Sequence, residues 1–244
     1  MNTKVSAVII TYNEATNLVR TLSQLYWCDE IIIVDSYSTD ETIAICLQYG
    51  CKIFYRSFET YVEQKCYGIG KAANDWILCI DADEYITERL VDELQDELKN
   101  TGNNKGYRMP VNRVFRGQEL KYGKEQGNYL IRLFSRKWSI ANKNKTHEYF
   151  EIIGPVKKLK NKIQHFSYRD IQQYIVKMNR TASLNSGIAA NKAKDKKGTF
   201  IFIALPGYFL KKYFLDRNFL NGTNGFYWSV VSAFSSYPRY YIKR

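Results

Sequence analysis

Four short apolar runs fix what this chain can fold into. They are Val5-Ser6-Ala7-Val8-Ile9-Ile10, the Ile31-Ile32-Ile33-Val34 segment inside 29–35, Cys51-Lys52-Ile53-Phe54-Tyr55, and Trp76-Ile77-Leu78-Cys79-Ile80. Short apolar runs bounded by polar residues, with β-branched side chains prominent in the first two, read as buried strands. Helical patterns fill the gaps. Residues 15–26 place Leu18, Leu22 and Leu25 on one face, with Asn13 available as a cap. Ser38-Thr39-Asp40-Glu41 has the form of a capping box, with Ser38 at the cap, opening a helix that stops at Gly50. A further helix carries Gln64 and Lys65. The order β-α-β-α-β-α-β with short connections predicts an α/β fold built on a mostly parallel, doubly wound sheet.

Ligands bind such sheets outside the carboxyl ends of the strands. Three of those ends are polar here: Thr11 to Glu14, Asp35 to Asp40, and Asp81-Ala82-Asp83-Glu84. Side chains alternate along extended backbone, so Asp81 and Asp83 share a face. Paired carboxylates suit a hard cation such as Mg²⁺ or Mn²⁺, which shares oxygen ligands with phosphates. The same acids could instead cap the helix that begins near Thr87, and both readings stand at this point. The chain has neither a Gly-x-Gly-x-x-Gly turn nor a Walker-type loop. Phosphates here would need a metal and basic side chains for neutralisation.

Charge is divided along the chain. Residues 1–100 hold 8 Lys and Arg against 17 Asp and Glu, while 101–170 hold 16 against 5 and 171–244 hold 12 against 2. An acidic first part joined to a basic second part implies an anionic partner for the latter. The five cysteines form no Cys-x-x-Cys pair and several sit in apolar runs, which predicts reduced, buried thiols. The first apolar run is too short for a secretory signal, and no stretch approaches the roughly 18 apolar residues of a membrane span. A helix-turn-helix, RNA-recognition or zinc pattern is absent, which disfavours a non-enzymatic nucleic-acid-binding protein.

Three stretches carry a family resemblance: 6–14 (SAVIITYNE), 33–42 (IVDSYSTDET) and 75–84 (DWILCIDADE). They resemble the signatures of family 2 glycosyltransferases, inverting enzymes with a GT-A fold. Within that family the chain is most similar to the lipopolysaccharide-core β-glucosyltransferase group. Tyr37 departs from the family's usual small residue or glycine. The resemblance implies that Thr11, Asn13 and Glu14 line the nucleoside pocket and that Asp35 accepts a hydrogen bond from the base. It places Lys65, Asp81 and Ala82 at the nucleotide-sugar, with Asp81 near ribose and metal. Asp83 would ligate the cation, and His165 matches a late histidine that contacts metal or diphosphate. Inversion needs one base to take the acceptor proton; Glu148 matches that position, with His147 as base or orienter.

The remaining chain is basic and then aromatic. Leu90, Val91, Leu94 and Leu98 mark a packing helix; 107–140 alternates like strands around a Gly-rich turn. Asp170 would cap a helix over Ile171, Tyr174, Ile175 and Met178, followed by a basic loop at 192–198. Thr199 to Leu210 is apolar but interrupted by Pro206-Gly207, and fourteen aromatics fall between Phe200 and Tyr241. Basic clusters beside aromatic-rich segments suit an anionic membrane surface, a lid over the catalytic domain being the alternative. Gly222 to Phe226 resembles the group's C-terminal Gly-rich turn. The expected organisation is a GT-A catalytic domain over 1–170, with a nucleotide-sugar half (1–100) and an acceptor half (101–170). A helical, aromatic-rich basic extension over 171–244 would follow. The resemblance implies a UDP-sugar donor, UDP-glucose in particular, and a lipid-linked or phosphorylated saccharide such as inner-core heptose. It implies a cytoplasmic enzyme, peripheral on the inner face of a bacterial inner membrane. Polyprenyl phosphate, a capsule or exopolysaccharide intermediate, or a protein are alternative acceptors.

Overall fold

The computed structural model describes residues 3–124, 126–141, 150–168 and 199–235. Chain contacts divide it into two compact units, Met1–Val111 with Gly127–His165, and Asn112–Gln126 with Phe166–Arg244.

The first unit begins with the expected alternation: β1 (Val5–Thr11), α1 (Ala15–Leu22), β2 (Glu30–Asp35), α2 (Thr42–Gln48), β3 (Lys52–Tyr55), α3 (Tyr61–Lys71) and β4 (Trp76–Asp81). In chain order there follow β5 (Glu84–Ile86), α4 (Glu88–Lys99), β6 (Gly106–Phe115), β7 (Gln118–Glu119), β8 (Asn128–Ser135), β9 (Ser139–Ala141), β10 (Phe150–Ile152), β11 (Val156–Lys158) and β12 (Ile163–Tyr168), of which β7 and the last residues of β6 and β12 fall in the second unit. The sheet runs β3-β2-β1-β4-β8-β6-β12-β5. Its first four strands are parallel, and β8 then adds antiparallel to β4. The order 3-2-1-4 reverses direction at β1, which sets a crevice at the carboxyl ends of β1 and β4.

Alternation along the parallel strands builds two cores. Ala7, Ile9, Leu78 and Ile80 face one way and pack with Leu18, Leu22 and Leu25, and with Leu90, Val91, Leu94 and Leu98 of α4. Val8, Ile32, Ile77 and Cys79 face the other way, with Phe134 and Phe150. On that side α3 lies close to the sheet at Gly68, where an added Cβ would sit 2.6 Å from Val8 Cγ1 and 2.9 Å from Val34 Cγ2. All five cysteines are free, with Cys46, Cys51 and Cys79 buried.

In the second unit, α5 (Thr199–Leu210) continues into a widened turn (Lys211–Leu215), in which the Asp216 amide donates to the Lys211 carbonyl five residues back. A 3-10 turn (Asn218–Asn221) leads into α6 (Gly222–Ser235). Asn221 ties the 112–126 hairpin to these helices: its Oδ1 accepts from the Lys121 and Tyr122 amides, and its Nδ2 donates to the Tyr122 carbonyl. Phe115 meets Trp228 edge-on at 5.4 Å. Gly225 is obligatory, because a Cβ there would lie 1.8 Å from the Asn218 carbonyl oxygen.

Four local expectations are corrected. Ser38 does not cap α2; Asp40 accepts from the Thr42 amide instead, and Ser38 turns back toward Asp35. Asn13 does not cap α1, because its Oδ1 takes the Thr39 amide. Pro206-Gly207 does not interrupt α5, which runs through both residues at the loss of one backbone hydrogen bond. Gly222 to Phe226 is not a turn but the first part of α6. The helix expected over 171–178, its cap Asp170 and the basic loop 192–198 lie outside the described residues.

Candidate active site

The ends of β1 and β2 are laced together by side chains. Thr11 pairs with Asp35 in the parallel ladder, and its hydroxyl donates to Asp35 Oδ2 at 2.8 Å. Asp35 Oδ1 accepts from the Ser38 amide at 2.7 Å, and Oδ2 also accepts from the Ser38 hydroxyl. Ser38 Oγ accepts in turn from the Asn13 amide at 2.8 Å. Asn13 and Tyr37 both adopt positive φ, 54° and 60°. Asparagine tolerates that conformation; tyrosine is strained in it and is held by the bonds to its neighbours Ser36 and Ser38. Glu14 continues the lacing, with its amide on Thr42 Oγ1 and its carboxylate accepting from Asn17. Thr11, Asn13, Glu14 and Asp35 therefore do assemble. Asp35 is wholly buried and spends its oxygens holding the two loops.

The β4 end holds a compact set of charges. Lys65, on α3 behind its Thr60 cap, is only 1% exposed and donates to Asp81 Oδ1 at 2.6 Å. Arg132 of β8 donates through Nη2 to Asp81 Oδ2 at 3.2 Å and to Glu84 Oε1 at 2.6 Å. Glu84 Oε2 accepts from the Asp81 amide at 3.1 Å. Burial acts to raise the Asp81 carboxyl, but the Lys65 and Arg132 charges outweigh it and hold it down at about 2. Burial likewise opposes the Arg132 charge, and Glu84 and Asp81 override it. Two buried cations and two carboxylates thus balance one another. Ala82 is fixed through its carbonyl, which accepts from the Thr21 hydroxyl of α1 at 2.8 Å.

Asp83 stands outside that balanced set. β12 pairs antiparallel with β5, and His165 lies opposite Glu84. That register brings His165 Nε2 to 3.2 Å from Asp83 Oδ1. Asp83 is 9% exposed, so the carboxylate sits at the edge of solvent. Of the three expected metal ligands the structure therefore joins Asp83 and His165. Asp81 is taken by Lys65 and Arg132. No set of three or more His, Cys, Asp or Glu side chains converges on one point among the described residues. One carboxylate and one imidazole, completed by phosphate and water oxygens, fit Mg²⁺ or Mn²⁺, which rarely use all-protein cages. Glu148 and His147 lie outside the described residues. Sequence reading missed Arg132; its one signal was a lone charge inside the apolar strand Tyr129-Leu130-Ile131-Arg132-Leu133-Phe134.

Residues 6–153 match the family described as Glycosyl transferase family 2. The chain belongs to that family. A protein of Rickettsia felis named an uncharacterized glycosyltransferase is 30% identical over 97% of this chain and 88% of its own. The lipopolysaccharide core biosynthesis glycosyltransferase LpsC of Rhizobium meliloti is 27% identical over 93% of this chain and 87% of its own. The crystal structure of S. aureus TarS 1-349 in complex with UDP-GlcNAc superposes with a TM-score of 0.50 at 16% identity, covering 94% of this chain and 79% of that one. The family 2 chain is a glycosyltransferase, and its fold is GT-A: a curled, mostly parallel sheet with helices at the C-terminus.

Proposed function

We propose that this glycosyltransferase is an inverting, metal-dependent hexosyltransferase that moves glucose from UDP-glucose onto a lipid-linked saccharide of the lipopolysaccharide inner-core type. The observation that carries it is the Asp83–His165 pair beside the neutralised Asp81, at the carboxyl end of β4. The similarity to LpsC supports the acceptor class.

In this reading Thr11, Asn13, Glu14 and Asp35 shape the nucleoside pocket through the laced loops. Lys65 and Arg132 fix Asp81 toward the ribose, and Ala82 sets the backbone between the two acids. Asp83 and His165 would hold the cation. When bound, Mg²⁺ or Mn²⁺ supplies Lewis-acid stabilisation of charge on the departing diphosphate. Glu148 accepts the proton of the acceptor hydroxyl as that oxygen attacks the anomeric carbon, and His147 orients it. One displacement inverts the centre and releases the nucleoside diphosphate. The enzyme would meet its acceptor on the inner face of the inner membrane.

A donor panel read by thermal shift, with and without Mn²⁺, tests this. UDP-glucose should raise the melting temperature most, and only with the metal present. Equal shifts from unrelated nucleotide-sugars, or none, would overturn the donor assignment. Glu148→Gln should abolish turnover while leaving donor binding unchanged; matching losses of both would remove the base role.

A further inference from the structure

We infer that the second unit is a one-leaflet membrane anchor, which seats the apolar residues of its helical hairpin among the acyl chains of an anionic bilayer. The first observation is an aromatic surface exposed among the unit's described residues. Phe209, Tyr213, Phe214, Phe219, Phe226 and Tyr227 form one chain of ring contacts with centroids 5.0 to 6.3 Å apart. Four of these rings are exposed, and beside them Leu215 is 78% and Leu210 51% exposed. A contiguous apolar patch of this kind on a folded surface marks an interaction face, unlike scattered single residues.

The second observation is the helix that leads into the patch. Thr199–Leu210 contains no charged residue, and its hydrophobicity has no polar side. A helix apolar all round belongs in a core or in lipid. With the turn to Leu215 it runs 17 residues, about 25 Å at 1.5 Å per residue, and Lys211 and Lys212 interrupt it. That is short of the roughly 30 Å hydrocarbon core. None of the helices in the described residues is long and apolar enough to cross a membrane. Insertion into one leaflet is what such a length permits.

Charge selects the partner. The second unit contains 17 Lys and Arg against 5 Asp and Glu, whereas the first contains 19 of each. The whole net charge of +12 therefore belongs to the anchor. Exposed Lys211 and Arg217 flank the patch, and Arg116 lies 4.7 Å over the Tyr227 ring. Basic residues around aromatic and aliphatic side chains are the arrangement that anionic headgroups and acyl chains satisfy together. A second copy of the same face would bring like charges together, which disfavours self-association through it. The purpose of the anchor rests on the proposed lipid-linked acceptor; its chemistry does not.

Co-sedimentation of the full chain with vesicles tests the inference. Wild type should bind phosphatidylglycerol-containing vesicles, bind phosphatidylcholine vesicles weakly, and release in high salt. Phe214→Glu/Leu215→Glu changes two exposed residues, so nucleotide binding should match wild type and the variant should still unfold cooperatively. Vesicle affinity should fall on the order of tenfold or more. Retained vesicle binding by the folded double variant overturns the anchor. So does a shift from dimer to monomer with vesicle binding unchanged. Vesicle binding of the expected kind by a protein that ignores UDP-glucose upholds the anchor while removing the proposed donor.

Discussion

His165 lies opposite Glu84 across the β5–β12 ladder and presents its Nε2 3.2 Å from Asp83 Oδ1. Strand register, which fixes both backbones, makes this pairing. A pair set by a ladder is rigid in advance, which would limit the ordering cost of holding the proposed cation. His165→Ala should therefore weaken Mn²⁺-dependent UDP binding by roughly tenfold or more, in the range lost when metal-site residues are removed. Titration calorimetry without metal should show little change. Equal weakening with and without Mn²⁺ would assign His165 to the nucleotide.

Arg132 touches both Asp81 and Glu84. Removing it strands a carboxylate, Glu84, that is fully buried. Arg132→Met should cost about 3–5 kcal/mol of folding stability by urea denaturation, the range for breaking one side of a buried pair. Arg132→Met/Glu84→Gln should recover part of that loss, because the unpaired charge is gone. Losses that simply add would show that the two side chains are not coupled.

Glu30 anchors the opposite end of the sheet and supplies a pH dependence. Its Oε1 accepts from the Ser6 hydroxyl and the Ala73 amide, and its Oε2 from Lys52, each at 2.6 Å. Burial pushes its carboxyl up, and these three partners together bring it below the ordinary 4.5. A depressed carboxyl stabilises the fold fully above its unfolded value and loses that contribution as pH falls through its folded value. Glu30→Gln should lower the melting temperature at neutral pH. The gap from wild type should close progressively as the pH is taken below 4.5. A gap that persists unchanged in acid would contradict the ionic account.

Two glycines of α3 separate packing from helix propensity. Gly68→Ala drives a methyl into Val8 and Val34 and should cost about 1–3 kcal/mol. Gly70 has nothing within 4 Å of an added Cβ, so Gly70→Ala should be neutral or stabilise by about 0.5–1 kcal/mol. Thermal unfolding of both variants checks the contrast.

How far the sequence could be read follows from the range of the forces involved. The four parallel strands and their helices were legible because apolar periodicity is local: Leu18 and Leu22, or Leu90 and Leu94, are buried where their spacing put them. Polar loop residues were less so. Ser38 and Asn13 each had a helix terminus within reach in sequence, yet each bonded the other's loop, a choice decided by the β1–β2 register. Arg132 looked like a strand residue of a basic region until its partners Asp81 and Glu84 came across the sheet. Pro206 carries a local penalty for helix that the apolar context of α5 overrode. In the candidate site, the acids at the β4 end were legible as a group. Their division into a neutralised Asp81 and a separate Asp83 required knowing where Lys65, Arg132 and His165 fall.

The proposed role of Asp83 is to carry a cation for transfer from UDP-glucose. UDP release in the presence of a lipid-linked inner-core acceptor, with and without Mn²⁺, measures that role in wild type and Asp83→Ala. Wild type should turn over only with the metal, and the folded variant should show no transfer under either condition. Near-normal, Mn²⁺-stimulated transfer by Asp83→Ala would show that the cation is not held by Asp83.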